Sequence, residues 1–496
     1  MSMIDTNKIL SDNGIDCLLV CCTNKYLTEY PELSENARYT LTGFSGSTGD
    51  ALITKDEIYL FVDGRYHIQA DLEAKPEVSV VKLQIGQSQD DEIKKIIKKD
   101  SILGITAKKI SQQRLEKYSE YTVKLLDFDP INDYTEPHNS TPEKAFNPVE
   151  YMPDATFVTN LEEVSYLTGL RDFSKDNTSK IWSKLYINGN KRILFNNDEE
   201  CDSFLSEYNE KLIVDKATIN AHDYSLIKYP ISKPSEIKLM KSVKSDLELE
   251  EYKKAFERTD KAIMAIREYI EHNDNLSEYD IAKKLREEYI KYGAKSLSFN
   301  SIVAINKNSA QAHYAKSSKD VILHDGDLVL IDSGAYYESG LATDITRVFV
   351  KGKPNDLQKK VYTYVLKAFL NCFSGFNRDI TGFEIDTYAH NILDNAVEGF
   401  KFNHGLGHGI GINVHENPPN LSQSEIAKVK IQDGMCFTIE PGLYNEEYFG
   451  IRLENSCYRK DGKTHSFVHM GYEGKLIDYE LLNQQEREWL KKFEIL

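Results

Sequence analysis

LVLIDSGAYYESGLATDITRVFV, residues 328–350, reads as two apolar, β-rich runs joined by a turn region that holds Gly334, Ser339 and Gly340. Asp332 lies on the first arm and Asp344 at the start of the second. Pairing the arms brings the two carboxylates together. An aspartate inside an apolar strand is costly to bury as a charge unless a cation or a donor meets it. Either acid alone is accounted for by backbone N–H donors. Two of them facing one site call for a metal ion that offsets both.

Three stretches downstream carry residues of the same kind. HGLGHGIGINVH (404–415) is rich in glycine, which lets the backbone approach a ligand closely. His404 and His408 are four apart, the spacing of one helical face, but the glycines argue for a loop or a short broken turn. In FTIEPGLY (437–444), Glu440 precedes Pro441-Gly442, a turn signal that closes the apolar run MCFTI. Glu454 lies in the short run GIRLENSCY (450–458). Asp332, Asp344, His408, Glu440 and Glu454 make four carboxylates and one imidazole, with no cysteine. That composition favours a hard divalent ion, Mn²⁺ before Zn²⁺ or Co²⁺. Several carboxylates able to bridge suit two ions better than one tetrahedral ion. No HExxH occurs in the chain, which excludes that metalloprotease template.

In this order the motifs resemble the creatinase/aminopeptidase family, known for the pita-bread fold. Asp, Asp, His, Glu, Glu matches that family's dinuclear metal site residue by residue. Within the family the match is to the longer, three-domain, cytosolic-type Xaa-Pro aminopeptidases. AHYA (312–315) places His313 where the family has a substrate-side histidine, and GHGIGINVHENP supplies His415. Upstream, RYTLTGFSGSTGDALI (38–53) and LFVDGRYHIQA (60–70) look like the N-terminal domain of those enzymes, and LIDYELLNQQEREWL (476–490) like their tail.

The resemblance implies an α/β fold: N-terminal creatinase-like α/β domains, then a C-terminal pita-bread catalytic domain. The boundaries are 1–134, a shortened second α/β domain at 147–233, and a catalytic domain at 234–496. It implies two divalent metal ions and hydrolysis of the bond between an N-terminal residue and a penultimate proline. Glu440 is both a ligand and the acceptor of the attacking water's proton. His313, His404 and His415 bind substrate and assist catalysis. Tyr444 and Arg452 line the proline pocket, and Arg452 also reads as an ion pair that orients a ligand carboxylate. A homodimer is implied as well. Two departures are local: the middle region is short, and the loop from His408 to His415 is about two residues shorter than in the long enzymes. The rival readings are a prolidase acting on Xaa-Pro dipeptides and a pita-bread binding module without catalysis.

The remainder of the chain agrees with a large globular protein. At 496 residues it exceeds one compact core. A formal charge of −17 argues against nucleic-acid partners. Seven cysteines without a CxxC read as reduced thiols of a cytoplasmic protein, Cys21 and Cys22 as core residues. No signal peptide and no membrane span are expected. Residues 1–134 alternate strand-like runs (CLLVCC, DALIT, EIYLFVD, EVSVVKL) with helical ones (HIQADLEA, DDEIKKIIKK). Pro130 to Pro153 reads as a linker. YTLTGF (39–44) is echoed by SYLTGL (165–170), a sign of a duplicated unit. From Pro234 onward long amphipathic helices are expected, one of them capped by Ser277 and ending near Gly293, with helices outside and strands inside.

Overall fold

The computed structural model describes residues 4–84, 86–135, 140–314, 316–376 and 379–496. Three features expected above fall partly outside them: Met1–Met3 of the opening segment, Glu136–Asn139 of the linker and Ala315 of AHYA. The chain divides into two compact units. One holds Met1–Ser140, Pro148–Leu167 and Trp182–Ser235; the other holds Thr141–Asn147, Thr168–Ile181 and Glu236–Leu496.

The first unit contains two mixed sheets. The first is built from β1 (Cys17–Val20), β2 (Ala51–Ile53), β3 (Ile58–Val62), β4 (Val78–Lys82), β5 (Ile102–Thr106) and β6 (Thr122–Leu126), in the order β4-β3-β2-β1-β5-β6. Strand β1 is buried on both faces. Its side chains alternate, so Cys17 and Leu19 pack with Leu103 and Ile105, while Leu18 and Val20 pack with Leu10 and Leu41. Cys21 is buried and Cys22 is only partly so.

The second sheet uses β7 (Met152–Val158), β8 (Lys184–Gly189), β9 (Lys191–Phe195), β10 (Leu212–Val214) and β11 (Pro230–Ser232), in the order β9-β8-β7-β10-β11. Its pairings run antiparallel, antiparallel, parallel, parallel. The series β3-β2-β1-β5-β6 has the same order and the same senses. The counterpart of β4 is absent from this sheet. The echoed TG dipeptides occupy matching places. Helix Ala37–Thr42 stops at Gly43 (φ +81°), and helix Leu161–Thr168 is followed by Gly169 (φ +69°), each between a central strand and its antiparallel neighbour. Both glycines take the left-handed conformation that ends a helix. A Cβ on Gly169 would also overlap the Phe146 carbonyl.

In the second unit, β12 (Ile302–Ile305), β13 (Leu328–Ser333) and β14 (Ile345–Val350) form a three-stranded antiparallel sheet. Strands β15 (Gly407–Gly409), β16 (Glu416–Leu421), β17 (Cys436–Ile439), β18 (Gly442–Tyr444), β19 (Gly450–Arg452), β20 (Asn455–Lys460) and β21 (Lys463–Ser466) follow. Five of them make a sheet of order β16-β15-β17-β20-β21, and β18 pairs with β19 alone. Helices Asp246–His272, Glu278–Lys291, Asp356–Ser374 and Gly382–Leu393 each open with a capping box, at Ser245, Ser277, Asn355 and Thr381. Ser277 is the expected cap, and Gly293 (φ +88°) follows that helix.

Two sequence expectations are corrected and a third is narrowed. Helix Asp356–Ser374 is not an outer helix: most of its residues are buried, and the C-terminal tail straps its far side. Thr363 receives the Asp478 N–H at 2.9 Å, Lys367 reaches the Leu481 carbonyl at 2.7 Å, and Asn371 reaches Glu486 at 2.9 Å. The expected linker is not wholly irregular, because Glu143–Lys144 pairs with Leu170–Arg171. Pro441-Gly442 closes the strand of MCFTI at Ile439 as expected, but without turning the chain back: the next strand, Gly442–Tyr444, pairs in another sheet. Among the described residues no helix is long and apolar enough to cross a membrane.

Candidate metal centre

The two arms quoted first pair as the apolar pattern requires. β13 and β14 run antiparallel with Asp332 opposite Thr346, and Asp344 stands two residues before Thr346 on the same face. The other two acids come from a ribbon that changes sheets. β17 pairs with β20 up to Ile439 and Asn455, and β18 pairs with β19 from Gly442 and Arg452. Glu440 and Glu454 occupy the two breaks between those pairings. The broken backbone is secured elsewhere: the Glu440 N–H donates to the Leu406 carbonyl at 2.8 Å, and the Glu454 N–H to the Thr346 carbonyl at 3.1 Å. His408 lies on the short strand β15 rather than in a loop, and a bulge beside it shifts the register against β16. A bulge re-aims a side chain, and here it serves the imidazole.

These elements bring all five sequence-chosen ligands together. Donor atoms of Asp344, His408 and Glu454 lie within 4.8 Å of one another. His408 Nε2 is 3.6 Å from Asp344 Oδ2 and 3.4 Å from Glu440 Oε1. His408 Nδ1 lies 3.0 Å from the Gly409 carbonyl, so that nitrogen donates and Nε2 keeps its lone pair for the site. Arg452 joins Asp332 to the group, 2.6 Å from Oδ2 and 4.0 Å from Glu440 Oε2.

The test of fit is what these carboxylates lack. Asp332 Oδ1, Asp344 Oδ1 and Glu454 Oε1 are buried without a hydrogen-bond partner. A buried unsatisfied carboxylate oxygen is expensive, and three at one place match a cation rather than a structural role. Burial and the neighbouring Glu454 and Asp332 charges push the Asp344 carboxyl well above the ordinary range. Burial with Glu440 and Asp332 does the same to Glu454. Glu440 is raised to about 7, by burial against a lowering pull from Arg452. Divalent ions reverse this pattern by favouring the charged forms.

Around the acids runs a relay of hydrogen bonds. Arg452 donates to Asp332, to the Tyr444 hydroxyl at 2.7 Å, to Thr346 Oγ1 at 3.3 Å and to the Ala312 carbonyl at 3.3 Å. Tyr444 in turn meets His404 Nε2 at 2.8 Å, while His404 Nδ1 faces the Gly405 carbonyl at 2.8 Å. The consistent assignment has Nδ1–H donating to that carbonyl and the Tyr444 O–H donating to Nε2. Tyr444 and Arg452 are 4% and 3% exposed, so both sit in the floor of the site. The His415 ring packs edge-on against His408, centroids 4.3 Å apart. The Ala312 contact brings the segment bearing His313 alongside Arg452.

Sequence reasoning missed two threonines. Thr346 Oγ1 donates to Glu454 Oε2 at 2.8 Å, and Thr438 Oγ1 donates to Glu440 Oε1 at 3.4 Å and receives the His408 N–H at 3.1 Å. Each stands two residues from one of the four acids, Asp344 or Glu440, at one end of its strand, so period-two spacing held the signal. A second group, Asp202, His222 and Asp223, also gathers possible ligand atoms, but Lys184 lies 2.6 Å from Asp223 and already offsets its charge.

Residues 250–460 match the model of metallopeptidase family M24, and residues 5–134 match the creatinase/prolidase N-terminal domain. A probable Xaa-Pro aminopeptidase P of Laccaria bicolor is 26% identical, covering 98% of this chain and 88% of that protein. An Xaa-Pro dipeptidase of Pyrococcus horikoshii is 38% identical over 220 residues, 44% of this chain and 60% of its own. The crystal structure of an X-prolyl aminopeptidase from Caenorhabditis elegans, described as a cytosolic enzyme with a di-nuclear active site, superposes with a TM-score of 0.85. It covers 96% of this chain and 90% of that one at 21% identity, a likeness of fold.

Proposed function

We propose that this chain, a member of the creatinase/aminopeptidase family of metallopeptidases, is an Xaa-Pro aminopeptidase that hydrolyses the bond before a penultimate proline. One observation carries the reading: Asp344 and Glu454, each with a buried carboxylate oxygen that has no hydrogen-bond partner, gather with His408 in a chain whose near-full-length relatives bear that name. Asp332, Asp344, His408, Glu440 and Glu454 would hold two divalent ions, whose charge when bound lowers the pKa of a water at the site.

The chain's own residues do the rest. Glu440 has the most exposed side chain of the four acids, at 18%, and its carboxylate takes the proton of the attacking water. Arg452 holds Asp332 in place, and Thr346 fixes one oxygen of Glu454 and leaves the other for a metal. His313, His404 and His415 bind the peptide and steady the charge that develops on the carbonyl of residue one. Tyr444, tied to His404, sets the orientation of that imidazole. An Xaa-Pro bond is a tertiary amide with no N–H, and its ring fixes φ. A site that takes hold of the ring and the free amine needs no donation from that nitrogen.

The dipeptidase relative at 38% identity favours a prolidase as the second reading. One assay separates them. The metal-stripped protein is given Mn²⁺ and an Xaa-Pro-Yaa tripeptide beside the matching Xaa-Pro dipeptide. Faster release of residue one from the tripeptide supports the aminopeptidase; preference for the dipeptide overturns it in favour of the prolidase. Manganese as the resident metal, a homodimer and a cytosolic location belong to the same reading and rest on the family resemblance. Metal analysis of protein purified without added metal, and sedimentation, test the first two.

A further inference from the structure

His415 leaves the short loop between β15 and β16, and the residue after it is a buried acid tied from two sides. Glu416 is 2% exposed. Its Oε2 lies 2.9 Å from Lys241 Nζ and 3.4 Å from Lys244 Nζ, and both lysines are buried with it. Its Oε1 folds back over the loop and accepts the N–H groups of Ile412, at 2.8 Å, and Asn413, at 3.2 Å. A Cβ on Gly411 would overlap that carboxylate, which explains the glycine. The loop is closed from its other side as well. Lys180 holds Asn413 Oδ1 at 3.0 Å, and Asn413 Nδ2 donates to the His415 carbonyl at 3.0 Å. The Gly411 carbonyl receives the N–H of Ala342, two residues before the ligand Asp344.

None of the bonds just named is made to the four acids or to the His408 imidazole. Together they fix the peptide planes of residues 411–416, and so the direction in which His415 leaves the backbone. We propose that Glu416, clamped by Lys241 and Lys244, is a positioning residue that holds His415 against His408. This rests on the reading of His415 as a substrate-side histidine. Two ammonium groups against one carboxylate give the anchor its rigidity. The pair of N–H bonds passes that rigidity to the loop. The two lysines, 172 and 175 residues upstream in sequence, thereby act on the site without touching it.

The test is a double-mutant cycle on the full chain loaded with Mn²⁺: wild type, E416Q, H415A and E416Q/H415A, on an Xaa-Pro-Yaa tripeptide, with bound metal measured for each. E416Q is expected to keep its metal content and to lose about 10–100-fold in kcat, as a misplacement of about 1 Å does. Adding E416Q to H415A is then expected to cost little more. A wild-type kcat in E416Q overturns the proposal, and so does a double variant that falls by the full product of the two single losses. Should E416Q fail to fold, Glu416→Asp keeps the charge between the lysines, draws the carboxylate away from the Ile412 and Asn413 N–H groups, and enters the same cycle. A readout without turnover, on protein loaded with diamagnetic Zn²⁺ instead, is the ¹³C-histidine NMR signal that disappears in H415A. It shifts or broadens in E416Q if the anchor works, and an unmoved signal overturns the proposal. A wild-type protein that cleaves no such peptide overturns the proposed activity instead, and leaves this signal to decide the anchor.

Discussion

Removing the metal is expected to make the protein less stable at neutral pH than at about pH 5, and Glu440 sets the size of the effect. In the metal-free site, burial opposed by Arg452 and aided by Asp332 raises its carboxyl from 4.5 to about 7. Each factor of ten in proton affinity corresponds to about 1.4 kcal/mol, so this acid alone takes about 3 kcal/mol from folding once the pH is above 7. Its folded pKa lies above its unfolded one. The penalty is therefore absent below about pH 4.5, grows up to about pH 7 and stays at its full value beyond. Burial pushes Asp344 and Glu454 the same way, which extends the loss. For a unit of this size, 1 kcal/mol is worth about 2 °C in Tm, so Glu440 accounts for about 6 °C. The assay is a thermal scan across pH 5 to 8 with a chelator present, on wild type and Glu440→Gln. The stripped wild type should lose about 6 °C more than the stripped variant over that range, and Mn²⁺ should restore the wild type most at the alkaline end. Parallel Tm curves for the two chelated proteins would refute the reasoning.

Asp344→Ala removes one of the carboxylates with an unpartnered buried oxygen. It is expected to abolish binding of at least one metal ion and nearly all turnover while the protein stays folded; unchanged metal content and activity would sink the ligand assignment. Thr346→Val deletes the hydroxyl between Glu454 and Arg452. Metal affinity, read by competition with a chromophoric chelator, should fall about 10–100-fold, as for other partners that orient a ligand. Gly411→Ala drives a methyl group into the Glu416 carboxylate; a loss of about 1–3 kcal/mol in denaturant melts is expected, with kcat reduced alongside.

The legible part of this molecule was the part with strong periodicity or unusual chemistry. Asp332 and Asp344 stood out because each interrupts an apolar run that otherwise forms buried strand. Ser277 announced its helix because a serine followed three residues later by an acid closes a capping box. What escaped was set by tertiary context. Pro441-Gly442 has the composition of a turn, yet the chain is not reversed there: β17 ends at Ile439, β18 begins at Gly442, β19 and β20 break at the same level, and the Leu453 N–H still donates to the Pro441 carbonyl. Helix Asp356–Ser374 has an amphipathic sequence but loses its outer face to the C-terminal tail, an element more than a hundred residues away. The echo of YTLTGF in SYLTGL hinted at a duplicated unit, but that the second sheet repeats five of the first sheet's six strands shows only in their matched order.

The ribbon break also explains how the protein keeps four acids buried in one place. Regular strand pairing would satisfy Glu440 and Glu454 with each other's backbone and leave their side chains where the pleat puts them. At the break both residues exchange that partner for one in a different element, Leu406 and Thr346, so the carboxylates are aimed by two sheets at once. Such a break needs reinforcement, and Arg347 supplies it. It is fully buried, and its five N–H groups meet five neutral oxygens: the carbonyls of Thr346, Glu454, Met470 and Gly471, and Asn455 Oδ1. Arg452, the last residue of β19, spends its donors on Asp332, Tyr444, Thr346 and the Ala312 carbonyl instead. One guanidinium therefore fastens the backbone that carries Glu454, and the other fastens the side chain of Asp332. A lysine at either place, with three donors on one point, could not span those acceptors. The division of labour leaves one oxygen on each of Asp332, Asp344 and Glu454 without a protein partner, and those oxygens define where the metal charge belongs.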